Sequence, residues 1–469
     1  MDKKLNKTKK LNKTKKFYLS SKILKNFSRK FNKNKSNKVF KNVNTKVNFS
    51  KLVERSDYLQ NKKNIFENVI SNIANVSNQK NSGRCWLFAF TNIMRMHMIK
   101  KYKLSKDFEF SQNYLFFYDK LEKANHFFNY IYKTKHIKLS NTKLKPEQIK
   151  LTKFLHNVTS DGGSWNIFCK LIEKYGIVPK SIMNDHFHSK KSNELNKFFN
   201  NFLKKSAFII RNSKKDKNIL IKELLYKSYK ILTIFLGEPP KTFSWEYYEY
   251  NNTKKINKNK SKKYKIIENI TPQEFYKKYV PYNVNDKICL VNFPCKDIPY
   301  YNLYNVENTF TLSNKEDNNF VNVPINIMLN ACKKSIKNDE AVWIGVDFGK
   351  FRSSHGFMDK NAFNYESIFG FDNLMEKCDS LLYRQSSPGH AITIKGFNIN
   401  KNNNNGFLIE NSWGERDGNK GNYYMSFDWF NMYVYRIVVD KKCVSKKEIN
   451  VLKKKPILLP YTNPFGALL

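Results

Sequence analysis

The sequence predicts an α+β protein, because a buried helix and a set of short strands occupy different parts of the chain. Residues 86–97 repeat their apolar side chains at helical spacing and contain no proline. Far downstream, residues 391–396 alternate apolar and polar side chains, and residues 406–409 form a second short apolar run. We therefore expect a helical half followed by a β-rich half.

The composition sets limits on the class of protein. A chain of 469 residues with 41% hydrophobic content can form the core of one large or several small domains. No run of 18 apolar residues occurs, so we expect no transmembrane helix and no membrane partner. The seven cysteines show neither disulfide nor zinc spacing, and no secretory signal is recognised. We therefore expect a cytoplasmic protein in a reducing compartment, without metal or cofactor.

The charge leaves two interpretations open. The formal net charge is +46, from 85 basic and 39 acidic residues. Such an excess is typical of proteins that bind nucleic acids or anionic surfaces. It can also follow from codon bias, since Lys, Asn, Ile, Phe and Tyr are all abundant. Residues 250–263 and 400–405 have the composition of low-complexity loop insertions.

The first 50 residues differ from the rest. Residues 3–10 recur as residues 9–16, and Asp2 is the only acidic residue before Glu54. An organellar transit peptide or a disordered basic extension would have this composition. Because arginine and serine are sparse, we predict disorder.

One cysteine stands out from the others. Cys85 follows Ser82-Gly83-Arg84, which is not a core strand, and directly precedes the predicted helix. At a helix N-terminus the dipole favours a thiolate, and an imidazolium would lower the thiol pKa further. We predict that Cys85 is a nucleophile. The remaining cysteines are predicted to be buried packing residues, namely Cys169, Cys289, Cys295, Cys332, Cys378 and Cys443.

The partners of this nucleophile are predicted from the later strands. His390 opens the 391–396 strand, and the 406–409 strand carries Asn411 beside it. Asn411 would orient the ring of His390, and Trp413 would shield that hydrogen bond from water. Gln79 and the backbone N–H of Cys85 would form an oxyanion hole. Cys, His and Asn in this order, with a Gln ahead of the Cys, indicate a cysteine protease.

These residues lie in a chain that resembles the bleomycin hydrolase and aminopeptidase C family of papain-like cysteine peptidases. The resemblance begins near residue 50. Apart from the segments around Cys85, His390 and Asn411, the motifs that carry it are residues 108–119, 161–165, 171–179, 242–247, 271–276, 341–349, 456–460 and 463–469.

The resemblance implies a papain-like core with a large insertion. In simple papain-like enzymes the His follows the Cys by about 130–150 residues, whereas His390 follows Cys85 by 305 positions. We expect a helical half at 51–179 and a β-rich half at 341–455. The mainly helical insertion at 180–340, where Leu220, Leu224 and Leu225 share a face with Tyr229, would build a homohexameric ring.

The resemblance also implies an activity and further site residues. The expected function is a cysteine aminopeptidase acting on peptides. Its C-terminal arm, 456–469, would lie in the cleft and present the carboxylate of Leu469 to the substrate ammonium. Gly162 and Gly163 would bind substrate main chain or form a tight turn, and Trp86 would support the site. Two rival functions are a nucleic-acid-binding ring with secondary peptidase activity and an endopeptidase with an ungated cleft.

Overall fold

The structure is a computed structural model that describes residues 17–60, 65–140, 142, 145–156, 158–250, 262–307, 318–399 and 405–465. The predictions for residues 1–16, for Leu469 and for most of the two low-complexity runs lie outside the described residues.

The described residues form a mixed α/β structure, as the sequence predicted. The helices are α1 Ser21–Lys33, α2 Lys35–Val43, α3 Phe49–Leu52, α4 Ser56–Gln60, α5 Cys85–Tyr102, α6 Gln112–Lys133, α7 Pro146–His156, α8 Trp165–Tyr175, α9 Phe187–Lys190, α10 Asn193–Asn212, α11 Lys217–Leu236, α12 Pro272–Tyr279, α13 Ile325–Lys337, α14 Glu366–Phe369, α15 Lys377–Leu382, α16 Phe427–Tyr433 and α17 Lys446–Val451. The strands are β1 Asn68–Val69, β2 Phe243–Tyr250, β3 Lys262–Ile270, β4 Lys287–Val291, β5 Leu303–Val306, β6 Phe320–Asn322, β7 Val342–Val346, β8 Phe357–Met358, β9 His390–Asn398, β10 Gly406–Glu410, β11 Asn422–Ser426, β12 Val434–Asp440 and β13 Ile457–Leu459.

Helix α5 is buried on nearly all sides, because it lies between other helices and the large sheet. It begins at Cys85, as predicted, and apolar side chains surround most of its axis. Phe90 stacks on Trp343 of β7, with ring centroids 4.7 Å apart, and the hydroxyl of Thr393 donates to the carbonyl of Ala89 at 3.4 Å. These contacts fix the N-terminal part of α5 against strands β7 and β9.

The large sheet brings distant residues to one edge. Its strand order is β13-β5-β6-β4-β12-β7-β9-β10-β11-β8, with β1 also paired to β9. Strands β9 and β10 are antiparallel, and Glu410 pairs with Thr393. The start of β9 and the end of β10 therefore meet at the same edge, which brings His390 and Asn411 together.

The region from 180 to 340 is less helical than predicted. Helices α10 and α11 occur there, and Leu220 and Leu224 are buried on one face of α11 as expected. Strands β4, β5 and β6 also lie there and belong to the large sheet. Such short buried strands have no alternation that would separate them from helix by sequence alone.

Among the described residues, 17–55 and 363–373 form a compact unit of their own. Within it, α1 and α2 occupy part of the extension that we predicted to be disordered, so that prediction does not hold for residues 21–43. Phe49 packs between the rings of Tyr365 and Phe369, with centroids at 5.9 and 5.6 Å. These ring contacts join two segments that are far apart in the chain.

Two cysteines depart from the predicted role of packing residues. Cys295 and Cys378 form a disulfide with their Cα atoms 5.3 Å apart. They are separated by 83 positions, so no local spacing indicated the pair. This bond was not expected for the reducing compartment that we predicted.

The C-terminal segment packs against the sheet as far as it is described. Strand β13 runs parallel to β5, and Phe465 is fully buried. The ring of Phe465 lies 4.8 Å from that of Phe293 and 5.6 Å from that of Phe320. Among the described residues, no helix is long and apolar enough to cross a membrane.

Candidate active site

Cys85 lies at the first position of α5, after a loop that starts at Gln79. Its side chain is 7% exposed. Backbone groups of Ala391, Trp86 and Cys85 itself are near enough to the sulfur to lower the pKa of the thiol. Ala391 belongs to the start of β9, so this strand lies near the predicted nucleophile, and His390 is the residue next to Ala391.

His390 and Asn411 are joined as the sequence predicted. His390 Nε2 lies 2.9 Å from Asn411 Oδ1, and Asn411 is fully buried. The His390 ring packs against Trp413 and Phe348, with centroids at 5.2 and 4.8 Å. Trp413 therefore lies beside the hydrogen bond that it was expected to cover, and Phe348 covers the ring as well.

The pKa values of Cys85 and His390 shift in the directions that disfavour a thiolate–imidazolium ion pair. Burial raises the pKa of the Cys85 thiol to about 11, and the three backbone donors only partly oppose this. Burial also lowers the pKa of His390 to about 4, against the opposing effect of its bond to Asn411. We had expected a lowered thiol pKa. The difference arises because desolvation of a buried charge exceeds the effect of the helix terminus.

Gln79 is held so that one amide hydrogen remains available. Its Nε2 donates to the carbonyl of Ser82 at 2.5 Å, and its Oε1 accepts from the Ser412 hydroxyl at 2.8 Å. An amide nitrogen carries two hydrogens. The second hydrogen can serve an oxyanion near Cys85.

A buried carboxylate that we did not single out holds the loop before Cys85. Asp161 accepts from the Gly83 N–H at 3.0 Å and from Ser192 Oγ at 2.5 Å, and it pairs with Lys120 at 2.8 Å. Burial alone would raise the pKa of Asp161, but Lys120 and these donors lower it. Asp161 begins the motif at residues 161–165, but the sequence does not show which hydrogen-bond donors surround its carboxylate.

The two glycines after Asp161 differ in their surroundings. A Cβ at Gly163 would lie 2.5 Å from the indole of Trp86, whereas one at Gly162 would meet only Ser160 Oγ, at 3.6 Å. Trp86 is fully buried and donates from Nε1 to the Asp161 carbonyl at 2.7 Å. Gly163 is therefore required for packing against Trp86, while Gly162 has room on its open side.

A polar cavity of about 750 Å³ opens beside these residues. Gln79, Gly83, Asp161, Ser192 and Trp413 are among its lining residues. It lies on the Gln79 side of the site and could receive part of a substrate.

Comparison with known proteins gives consistent matches over most of the chain. The model of the Peptidase C1-like family matches residues 18–466, so the match starts well before the expected boundary near residue 50. Aminopeptidase C of Listeria monocytogenes is 36% identical, over 95% of this chain and 98% of its own length. Bleomycin hydrolase of Mus musculus is 35% identical, over 91% and 93%. The crystal structure of PepW from Lactobacillus rhamnosis HN001 has a TM-score of 0.88 at 34% identity, covering 96% of this chain and 99% of that one.

Proposed function

The chain belongs to the Peptidase C1-like family and is a cysteine aminopeptidase of the bleomycin hydrolase type, and from this premise we propose which residues carry out the reaction. Cys85 is the nucleophile, His390 the base and acid, Asn411 the residue that orients His390, and Gln79 an oxyanion donor. The observation that carries the assignment is the His390–Asn411 bond at the start of β9, together with the position of Ala391 of the same strand near the Cys85 sulfur.

The chemistry follows from these positions. The Cys85 sulfur attacks the carbonyl carbon of the first peptide bond while its proton passes to His390. The N–H groups of Gln79 and Cys85 stabilise the oxyanion that forms. His390 then protonates the leaving amine as the C–N bond breaks, which leaves a thioester on Cys85. Water hydrolyses this thioester with His390 as the base, and the free thiol is regenerated.

The directions of the pKa shifts favour a concerted first step. The raised thiol pKa and the lowered imidazole pKa both disfavour a thiolate–imidazolium pair before substrate binds. The thiol proton then moves to His390 while the Cys85 sulfur attacks the carbonyl carbon. In the same step, the proposed N–H donors stabilise the negative charge that develops on the carbonyl oxygen.

Hydrolysis of coumarin amides tests the assignment. The wild type should cleave an aminoacyl coumarin amide with a free amino group, and Cys85→Ala, His390→Ala and Asn411→Ala should each lose most of that activity. Cleavage of the N-acetylated amide at an equal rate would favour the endopeptidase alternative. Full activity in Cys85→Ala would refute the assignment.

We further propose that the C-terminal arm restricts the cleft to free N-termini. The packing of Phe465 supports an arm that is fixed as far as residue 465. Beyond it, the carboxylate of Leu469 would attract the substrate ammonium. Deleting residues 466–469 retains Phe465, whereas deleting 464–469 also removes it. If the carboxylate matters, the shorter deletion alone should lower aminopeptidase activity and admit acetylated substrates. Unchanged selectivity in both deletions would refute gating.

The insertion helices favour an assembly of several copies. Large apolar side chains are exposed on α10 and α11, namely Phe198 (55%), Phe208 (60%), Ile219 (57%), Tyr226 (68%) and Ile234 (70%). Exposed apolar surface of this extent is typical of interaction sites. We propose a homohexamer, which a native mass measurement tests directly. A monomeric mass would refute it.

The net charge of +46 favours one second function, binding of nucleic acid. If this function is selected, Cys85→Ala protein should bind DNA with an affinity that falls steeply as salt rises. A protein that shows no retention on DNA at low salt would leave codon bias as the explanation.

A further inference from the structure

The amide of Asn411 connects His390 to a carboxylate on the following loop. Its Oδ1 lies 2.9 Å from His390 Nε2, and its Nδ2 donates to Asp417 Oδ2 at 3.0 Å. Asn411 is fully buried, so both ends of the amide are satisfied by protein groups rather than by bulk water. The three side chains form one continuous chain of hydrogen bonds.

Asp417 is itself held in place. The hydroxyl of Tyr423 donates to Asp417 Oδ2 at 2.6 Å, and Arg352 Nη1 lies 3.2 Å from Asp417 Oδ1. Arg352 also donates to the Tyr423 hydroxyl at 2.8 Å and lies over the ring of Phe348. Only about a quarter of the Asp417 and Arg352 side chains is exposed (23% and 26%). The carboxylate therefore has a fixed position and orientation.

The backbone of the loop between β10 and β11 folds back so that Asp417 lies beside Asn411. The Gly421 N–H donates to the Asp417 carbonyl at 2.8 Å, and the Asn411 N–H donates to the Gly421 carbonyl at 3.0 Å. Gly418 has a φ of +60°, and a Cβ there would lie 2.6 Å from the Tyr423 ring. The loop thus needs glycine next to Asp417 in order to close.

The chemistry of these groups fixes the direction of every bond. An ionised carboxylate only accepts hydrogen bonds, so the NH₂ end of Asn411 must face Asp417. The carbonyl end of Asn411 then faces His390, and a carbonyl only accepts. The hydrogen of a neutral His390 ring must therefore be on Nε2, which leaves the lone pair on Nδ1. A ring in this tautomer can act as a base at Nδ1.

We propose that Asp417 is a positioning residue for the reaction, which sets the amide orientation of Asn411 and thereby the tautomer of His390. This inference rests on the proposed roles of His390 and Asn411. Asp417 acts through orientation more than through charge, because Arg352 lies against it with the opposite sign. Their effects on the pKa of His390 oppose each other, since Asp417 raises it and Arg352 lowers it.

Kinetics of the full-length protein provide the first test. Asp417→Asn offers Asn411 both a donor and an acceptor, so only the Ser412 N–H, which donates to Asn411 Oδ1 at 2.9 Å, still favours the present direction of the amide and the imidazole. We expect kcat for a free aminoacyl coumarin amide to fall about 10- to 100-fold, with KM nearly unchanged. Glu415→Gln is the matched control, because it removes one negative charge from an exposed position of the same loop. Equal losses in both variants would overturn the proposal.

A double-mutant cycle separates orientation from other effects. If Asp417 acts through Asn411, then Asp417→Asn should cost little further activity in an Asn411→Ala background. An undiminished further loss would overturn the proposal. Retained activity in Asn411→Ala alone would instead count against the proposed function, so the two failures are distinguishable.

The tautomer itself can be observed without catalysis. In Cys85→Ala protein labelled with ¹⁵N-histidine, the imidazole nitrogens of His390 should report a hydrogen on Nε2 at neutral pH. Adding Asp417→Asn should shift this towards a mixture of tautomers. A hydrogen on Nδ1 in the Cys85→Ala protein would overturn the proposal even if the Asp417 variant does not fold.

Discussion

The loop that carries the proposed nucleophile, Cys85, is anchored by buried charges, whereas the His390 imidazole is held by a chain of hydrogen bonds that ends at partly exposed charges. Before Cys85, Gly83 is bonded to Asp161, whose partner Lys120 has a side chain that is 0% exposed. Beside His390, the chain runs through Asn411 to Asp417, which is 23% exposed.

This difference suggests that the two sides serve different needs. A buried ion pair is strongly destabilising to break, so it fixes the backbone of the loop as part of the fold. A chain of hydrogen bonds with one solvent-accessible end adds less to stability but defines where protons are. We therefore expect changes on the nucleophile side to reduce stability as well as activity, and changes on the imidazole side to affect mainly activity and its pH dependence.

The largest effect should come from Cys85→Ser, because a hydroxyl is far less acidic than a thiol. Turnover should fall by at least about 10⁴-fold, with little change in melting temperature since the side chains are nearly isosteric. Cys169→Ser is the control, because it makes the same substitution at a cysteine of α8 that has no proposed part in the reaction. A loss of folding in Cys85→Ser would mean that the thiol itself belongs to the structural anchor.

Gln79→Ala should have the next largest effect. Loss of one oxyanion donor should lower kcat by roughly 10²–10³-fold, with little change in KM because the charge develops only in the transition state. Ser412→Ala is the matched variant for Gln79→Ala. It removes the hydroxyl that donates to Gln79 Oε1 but leaves the Gln79 amide in place. Wild-type kinetics in Gln79→Ala would remove this residue from the oxyanion hole.

Asp161→Asn tests the buried anchor directly. Removing one partner of a buried pair should lower the free energy of unfolding by about 3 kcal/mol, as measured by urea denaturation. Glu223→Gln is the control, since it breaks the exposed pair with Lys215 and should cost less than about 0.5 kcal/mol. Equal stability of the two variants would contradict the contrast between the two sides.

The smallest expected effect is a pH dependence of stability due to His390. Its pKa in the folded state is about 4, below the ordinary value of 6.5. The unfolded chain therefore binds a proton first, and stability falls as the pH drops from about 6.5 to about 4, by less than the loss expected for Asp161→Asn because His390 is only partly buried. His390→Gln should lack this component in urea denaturation across that range. If the wild type instead becomes more stable than the variant as the pH falls, the folded site holds an imidazolium and thus an ion pair with Cys85.

Local patterns were sufficient to predict which elements carry several residues of the candidate site. The helical spacing after Cys85 predicted a helix that begins at this residue, and the structure has it there. The strands that follow His390 and precede Asn411 were recognised by their short apolar patterns, and the two side chains meet as expected. These features depend on side-chain types within a few residues, which a sequence displays directly.

Other features depend on contacts between distant segments, and only the tertiary structure decided them. The Cys295–Cys378 bond spans 83 positions, and the ordered helices α1 and α2 lie where composition indicated disorder. The role of Asp161 depends on donors from three other segments of the chain.

The protonation of the reacting pair was also beyond the sequence. The helix N-terminus at Cys85 indicated a lowered thiol pKa, yet burial raises it to about 11. The sequence shows which residues precede and follow a titratable group. The water that remains around the group depends on all the segments that pack over it. The residue types and their order were therefore determined by the sequence, while the burial that shifts both pKa values was decided by the fold.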